Sequence, residues 1–429
     1  MIKRQYVDED IAAYYADLKL NQIKEEDEPV HSWYRFVLSF PPHLVREYIK
    51  KFDLQTGQVV LDPFCGTGTT LVESKKLGLE SVGIDAHPMC FFASKTKVNW
   101  REDSVGLKRH ALQIAHMAEA RLSQISMNDL RTLPEDEMKL LIKGSISPIP
   151  LHKTLILRDC IYSCYDARYA DYELLALARI LVTTTGNLRF GPEVGVTKPK
   201  LDAPVIEDWL DSVNKIAEDL DVVRERHNVP ATVFLSDSRE VTRILSPKSI
   251  DAVITSPPYP NEKDYTRTTR LESVLLGFIR SKEDLQRHKR SLLRSNSRNV
   301  YAGDDDSQWV ANNKQIEHLI TAIENRRQEL GKTSGFEKLY SKVVSLYFGG
   351  MARHLAELRS VLRPGAHLAY VVGDQASFFR ILIRTGELLA GIASELGYEI
   401  IGLDLFRTRF STATKKAMRE EVLVLRWPG

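Results

Sequence analysis

Two short runs carry residue types from which a reaction centre could be built. Thr255, Ser256, Pro257, Pro258 and Tyr259 follow the apolar stretch Asp251 to Ile254, which reads as a buried strand ending in a stiff polar loop. Consecutive prolines fix φ and restrict the residue before them, so the Ser256 hydroxyl and the Pro257 carbonyl are set in place before a ligand arrives. Two such acceptors suit an exocyclic amine on an aromatic base. Its lone pair is delocalised into the ring, and groups that bind both amine protons favour the pyramidal form that attacks. Tyr259 adds a flat face on which a base drawn out of a duplex can stack.

The second run, Asp62 to Thr70 (DPFCGTGTT), follows the buried strand VVL, at the carboxyl end of a strand where an α/β sheet places its ligand crevice. Gly66 and Gly68 can take positive φ and let a bound molecule approach the backbone closely. The third glycine of a dinucleotide fingerprint is missing, and no phosphate-loop lysine follows. One helix and one strand later stands Asp85, an acid placed to accept hydrogen bonds from both hydroxyls of a ribose. A glycine turn with a distal acid points to an adenosine-like ligand.

The run DPFCGTGTTLVESKKLGLESVGIDAHP resembles the cofactor motif of the amino-group DNA methyltransferases, and TSPPY resembles the [DNS]PP[YFW] motif shared by their N4-cytosine and N6-adenine classes. The resemblance implies S-adenosyl-L-methionine as cofactor. It gives Asp62 the amino group of that cofactor, sets Gly66 and Gly68 beside its methionine portion and gives Asp85 its ribose. Pro63, Phe64, Thr69 and Thr70 complete the turn, and Asp237 takes the adenine amine. Tyr34 and Phe40, in an aromatic run with His31 and Phe36, resemble the segment that closes over the methionine end. Ser256, Pro257, Pro258 and Tyr259 become the catalytic loop. Serine at the first position is commoner in the cytosine class, so transfer to cytosine N4 in double-stranded DNA is expected. Adenine N6 is the alternative, and guanine N2 in transfer RNA or a protein amide is a further one. A carbon-5 mechanism would need a cysteine after a proline, which none of the four cysteines is.

The elements that must position these loops follow an α/β rhythm. The resemblance implies a Rossmann-like, doubly wound methyltransferase sheet, mostly parallel, of seven strands with a terminal antiparallel hairpin. Its core is expected at residues 31–100, 231–261 and 345–429. A polar lead-in covers residues 1–30, and two largely helical insertions cover 101–230 and 262–344. The tail of the first insertion, NLRFGPEVGVTKPKLDAP, reads as loop, and RPGA near residue 365 as a turn.

With 429 residues, 43% hydrophobic and 27% charged, the chain has the composition of a folded globular enzyme. Its net charge of +2 does not announce a nucleic-acid partner, but between Lys263 and Arg298 ten basic residues face four acidic ones. Following directly on the base-binding loop, that stretch is expected to contact DNA, with Thr266, Arg267, Arg270, Lys289 and Arg290 as candidates. No apolar run of 18 residues and no signal-peptide pattern is present, so a cytoplasmic protein without a membrane partner is expected. The cysteine pattern offers no metal-ligand set, and none is expected. A cognate restriction endonuclease is an expected partner of an enzyme of this kind.

Overall fold

The computed structural model describes residues 23–35, 39–125, 129–190, 194–261, 263–411 and 416–429. Most of the lead-in and Phe36 therefore lie outside the described residues. Among the described residues no helix is long and apolar enough to cross a membrane.

Seven strands form one sheet: β1 (Val59–Asp62), β2 (Glu80–Asp85), β5 (Ala231–Leu235), β6 (Ile250–Thr255), β7 (Leu362–Gly373), β8 (Glu399–Ser411) and β9 (Lys416–Arg426). Their spatial order is β5-β2-β1-β6-β7-β9-β8. The first five run parallel, and β9 pairs antiparallel with both β7 and β8. This is the expected doubly wound sheet with its terminal hairpin. From β1 the chain winds outward to β2 and β5, then returns to place β6 on the other side of β1. The crevice between β1 and β6 is thus the topological switch point, where open α/β sheets bind ligands.

Alternation along each strand explains why both faces are covered. Val60, Ile254, Ala369, Val371, Val422 and Val424 share a core with α1 (Pro42–Lys51). Leu61, Val253, Leu368, Tyr370, Leu423 and Leu425 face the opposite side, against α11 (Tyr340–Val361) and α12 (Thr385–Glu395). Successive side chains on a strand point to opposite faces, so each strand serves two cores at once.

Between residues 101 and 230 the chain forms α4 (Ser104–Ser123), α5 (Pro148–Ser163), α6 (Ala170–Ile180) and α7 (Val205–Val223). They share one apolar core with α2 (Thr69–Lys76) and α3 (Pro88–Val98) of the sheet region. The tail read as loop holds a small antiparallel pair, β3 (Leu188–Phe190) with β4 (Val194–Val196). The RPGA turn is also absorbed into a strand. Leu362 pairs with Ile250 and His367 with Ala252, so the turn survives as a bulge in β7, with Gly365 at φ 88°. The second insertion contributes α8 (Arg270–Leu275), α9 (Lys282–Ser291) and α10 (Lys314–Glu329).

Candidate active site

A cavity of about 290 Å³ opens along the carboxyl edge of the sheet. Because the strands lie side by side, the residues that follow them form a row. Asp237 comes after β5, Asp85 ends β2, Gly66 follows β1, and Ser256 to Tyr259 follow β6, all lining this one cavity. Two runs almost two hundred residues apart in sequence are brought together by the pairing of β1 with β6.

The glycine turn is shaped by its backbone. Gly66 has φ 50° with nothing within 4 Å of where a Cβ would stand, so the turn is open toward the cavity. Gly68, at φ 87°, caps α2, and a Cβ there would lie 3.1 Å from the Cβ of Ser94. Its freedom serves helix packing rather than the ligand.

Asp85 accepts the Gly66 N–H at 2.9 Å on Oδ2 and the His87 N–H at 2.8 Å on Oδ1. Burial pushes its carboxyl up to about 7 against those two bonds. Asp237 caps the following helical turn through the Arg239 N–H and holds the Arg239 guanidinium at 2.5 Å. Arg239 in turn pairs with Asp306 from the second insertion. Phe64 meets the buried His354 edge-on at 4.9 Å, and His354 is fixed between Tyr370 Oη and the Ser238 carbonyl.

In the proline loop, Ser256 Oγ donates to the Val371 carbonyl of β7 at 3.2 Å. Its single proton is thereby committed, which leaves oxygen lone pairs to accept from a ligand. Tyr259 lies against Gly373, where a Cβ would stand 3.1 Å from its ring.

Several of the expected site residues lie off the cavity. Asp62 is wholly buried and does not line the cavity; its Oδ1 takes the Thr255 hydroxyl at 2.6 Å and the Phe64 N–H, while Oδ2 is buried without a partner. Burial lifts this carboxyl to about 6. Thr70 is also buried off the cavity and donates to the Ile254 carbonyl at 3.0 Å. Tyr34 is core: it is 2% exposed and donates to Glu272 at 2.5 Å. Pro63, Phe64, Thr69 and Phe40 do line the cavity.

The candidate DNA contacts all lie off it. Thr266 is fully buried on Asp264, and Arg270 is turned inward to the Thr266 and Leu140 carbonyls. Lys289 pairs with Asp264 at 2.7 Å, and the Arg267 Nε is buried. Arg290 is exposed and sits over the ring of Tyr301.

Sequence reasoning missed the far wall of the cavity, where Lys263 joins Arg407, Arg409 and Glu420 from the terminal hairpin. It also missed His87, whose Nε2 lies 3.0 Å from Thr269 Oγ1 and ties the turn after Asp85 to the second insertion. The available signals were the polar His87 two residues after Asp85 and the period-two arginines in FRTRF.

Residues 8–94 match the profile of the N6_N4_Mtase family, described as DNA methylase. The chain is 26% identical to the Type II methyltransferase M.BsoBI of Geobacillus stearothermophilus, over 91% of this chain and 83% of that protein. It is 22% identical to the Type II methyltransferase M.AvaI of a Nostoc species, over 94% of this chain and 87% of the relative. Over a shorter stretch of 75 residues, 18% of this chain and 14% of the other, it is 37% identical to the Type II methyltransferase M.MjaII of Methanocaldococcus jannaschii. With the Asp62 and Ser256 loops side by side on one sheet edge, these matches support a likeness to the amino-group DNA methyltransferases.

Proposed function

We propose that the protein transfers a methyl group from S-adenosylmethionine to the exocyclic N4 amine of cytosine in duplex DNA. The observation that carries this reading is the row of groups along the cavity, from Asp237 and Asp85 through the Gly66 turn to Ser256 and Tyr259.

The cavity suits the cofactor in shape and charge. Its carboxylates Asp237 and Asp85 stand on adjacent strands, matching an amino group and a ribose, and the open turn at Gly66 admits a chain against the backbone. Asp62 offers a buried, unpartnered Oδ2 beneath that turn, a site for an ammonium once the floor adjusts. When bound, S-adenosylmethionine supplies an electrophilic methyl group.

The chain's own part is to hold and orient an amine. Ser256, its proton engaged by Val371, accepts one amine proton, and the Pro257 carbonyl accepts the other. Tyr259 stacks on the everted base and fixes its plane, while the enclosed cavity strips water from the amine. Serine at position 256 supports cytosine over adenine.

Nucleosides from plasmid DNA propagated with the protein test the reading by mass spectrometry. N4-methylcytosine is expected. N6-methyladenine would move the target to the alternative base, and neither product from folded protein would point to another amine.

A further inference from the structure

The established motifs account for the cavity as far as β6 but not for its far end. There β9 lies two strands beyond β6, roughly 10 Å away at the usual strand spacing. Glu420, opposite Gly373 on β7 and Arg407 on β8, is 8% exposed and binds two arginines at once. Its Oε2 takes the Nε of Arg407, and its Oε1 stands 3.3 Å from the Nε of Arg409. The Nε of Arg407 is held by the carboxylate and that of Arg409 is buried beside it without a hydrogen bond, so the donors these side chains can offer a ligand are their terminal nitrogens.

Their place relative to the stacking ring is set by Gly373. A Cβ there would stand 3.1 Å from Tyr259 Cε2, 3.2 Å from Glu420 Cγ and 3.4 Å from Arg409 Nη2. Arg409 therefore stands beside the edge of the Tyr259 ring, held also by the Asp374 carbonyl at 3.2 Å. Lys263 lines the same end, its ammonium pushed down by burial and by the Arg409 charge. Three cations against one carboxylate make a wall that favours acceptors.

We propose that Arg409, braced by Glu420, reads the target base by donating to the two ring-edge acceptors beside its amine. This rests on the reading given under Proposed function and deepens it. With the amine held at Ser256, cytosine turns N3 and O2 toward that wall, two consecutive acceptors that a planar guanidinium engages as a pair. Adenine on the same edge offers N1 and then a carbon-bound hydrogen. The wall thus supplies a physical preference for the pyrimidine that does not depend on the residue preceding the prolines. A backbone phosphate shares the required charge, but the wall adjoins the ring that stacks the base.

The test uses the full-length protein and a duplex bearing the methylated site mapped in plasmid DNA, with either the target base or an abasic nucleotide at that position. Arg409→Gln is expected to lower kcat/KM on the intact duplex roughly thirtyfold, the worth of a bidentate base contact. Its Kd for the abasic duplex is expected to match that of the unaltered protein, which also reports that the variant is folded. An equal loss on both duplexes would assign Arg409 to a phosphate or to the fold and overturn the inference. No loss on either would overturn it too. Mapping to N6-methyladenine with the unaltered protein would instead remove the underlying reading, independently of the variant.

Discussion

The hydroxyl of Thr255 donates to the carboxylate of Asp62 across 2.6 Å, so the residue before the Ser256 loop is bonded to the first residue of the glycine turn. Both are fully buried, and a second bond, from Thr70 Oγ1 in the first turn of α2 to the Ile254 carbonyl, repeats the link. The two halves of the cavity are thereby one rigid unit. Thr255→Val keeps the shape but leaves a buried carboxylate short of a donor, at a cost of about 1–3 kcal/mol. Chemical denaturation should show that loss, and kcat should fall more than the affinity for S-adenosylhomocysteine does.

On the proposed reading, Ser256→Ala removes an acceptor that engages the amine only as it becomes nucleophilic. A fall in kcat of about a hundredfold is expected, by analogy with the loss of one preorganised polar group at a transition state. Tritium transfer measures the rate, and calorimetry should find cofactor binding unchanged. A parallel loss of cofactor affinity would mean that the hydroxyl serves the other half of the cavity.

Gly373→Ala places a methyl group 3.1 Å from the Tyr259 ring and 3.2 Å from Glu420 Cγ. The ring has to yield, and displacements of this size at a reacting group cost up to about a hundredfold in rate. We expect a clear loss of kcat with an unfolding midpoint close to that of the unaltered protein.

On the proposed reading, Asp85 makes ligand binding depend on pH. Its carboxyl, raised to about 7 by burial, is protonated in the free protein at pH 6, whereas ribose hydroxyls donate best to the ionised form. Affinity for S-adenosylhomocysteine should therefore fall as pH drops below about 7, and Asp85→Asn should flatten that dependence. Stability of the ligand-free protein runs the other way. The folded state keeps a proton that the unfolded chain gives up above about 4, so this group's contribution declines as pH rises toward 7. Titration calorimetry and thermal melts read the two effects separately.

Glu73 on α2 is 1% exposed and gathers His31 at 2.8 Å, Arg46 at 2.5 Å and Lys76 at 3.2 Å. Burial alone would raise its carboxyl, but the His31 hydrogen bond and the neighbouring positive charges outweigh it and hold the group at about 2. Its stabilisation is complete above about 4.5 and is lost as pH falls toward 2. Glu73→Gln strands those partners and is expected to cost about 3 kcal/mol by denaturant unfolding. Ser39 and Phe40 reach the cavity from the stretch between His31 and Arg46, so cofactor affinity should drop as well.

Both loops are legible in the sequence because each is a contiguous run whose residue types answer to local geometry: paired prolines, a turn glycine, an acid at a strand end. The seven-stranded sheet with its terminal hairpin is implied by the resemblance of these loops, whereas the order of its strands is read from the structure. What depends on register is not legible. Arg407 and Arg409 meet Glu420 only because β8 and β9 pair as they do, and Gly373 matters only through the ring that lies on it. Asp62 and Tyr34 lie beneath the cavity surface and do not line it, and a run of letters does not distinguish a side chain on a cavity from one beneath it. Counting ten basic residues along residues 263–298 ignores Asp304, which folds back onto Arg294.

That folding back bears on how the protein would search a genome. Lys289, Arg294 and Arg239 are each neutralised from within, by Asp264, Asp304 and Asp306. Positive charge that already has an internal counterion displaces few cations from a polyanion, so these three side chains add little to indiscriminate adhesion. On the proposed reading, the match inside the crevice would then weigh more in the residence time on DNA than these three side chains do.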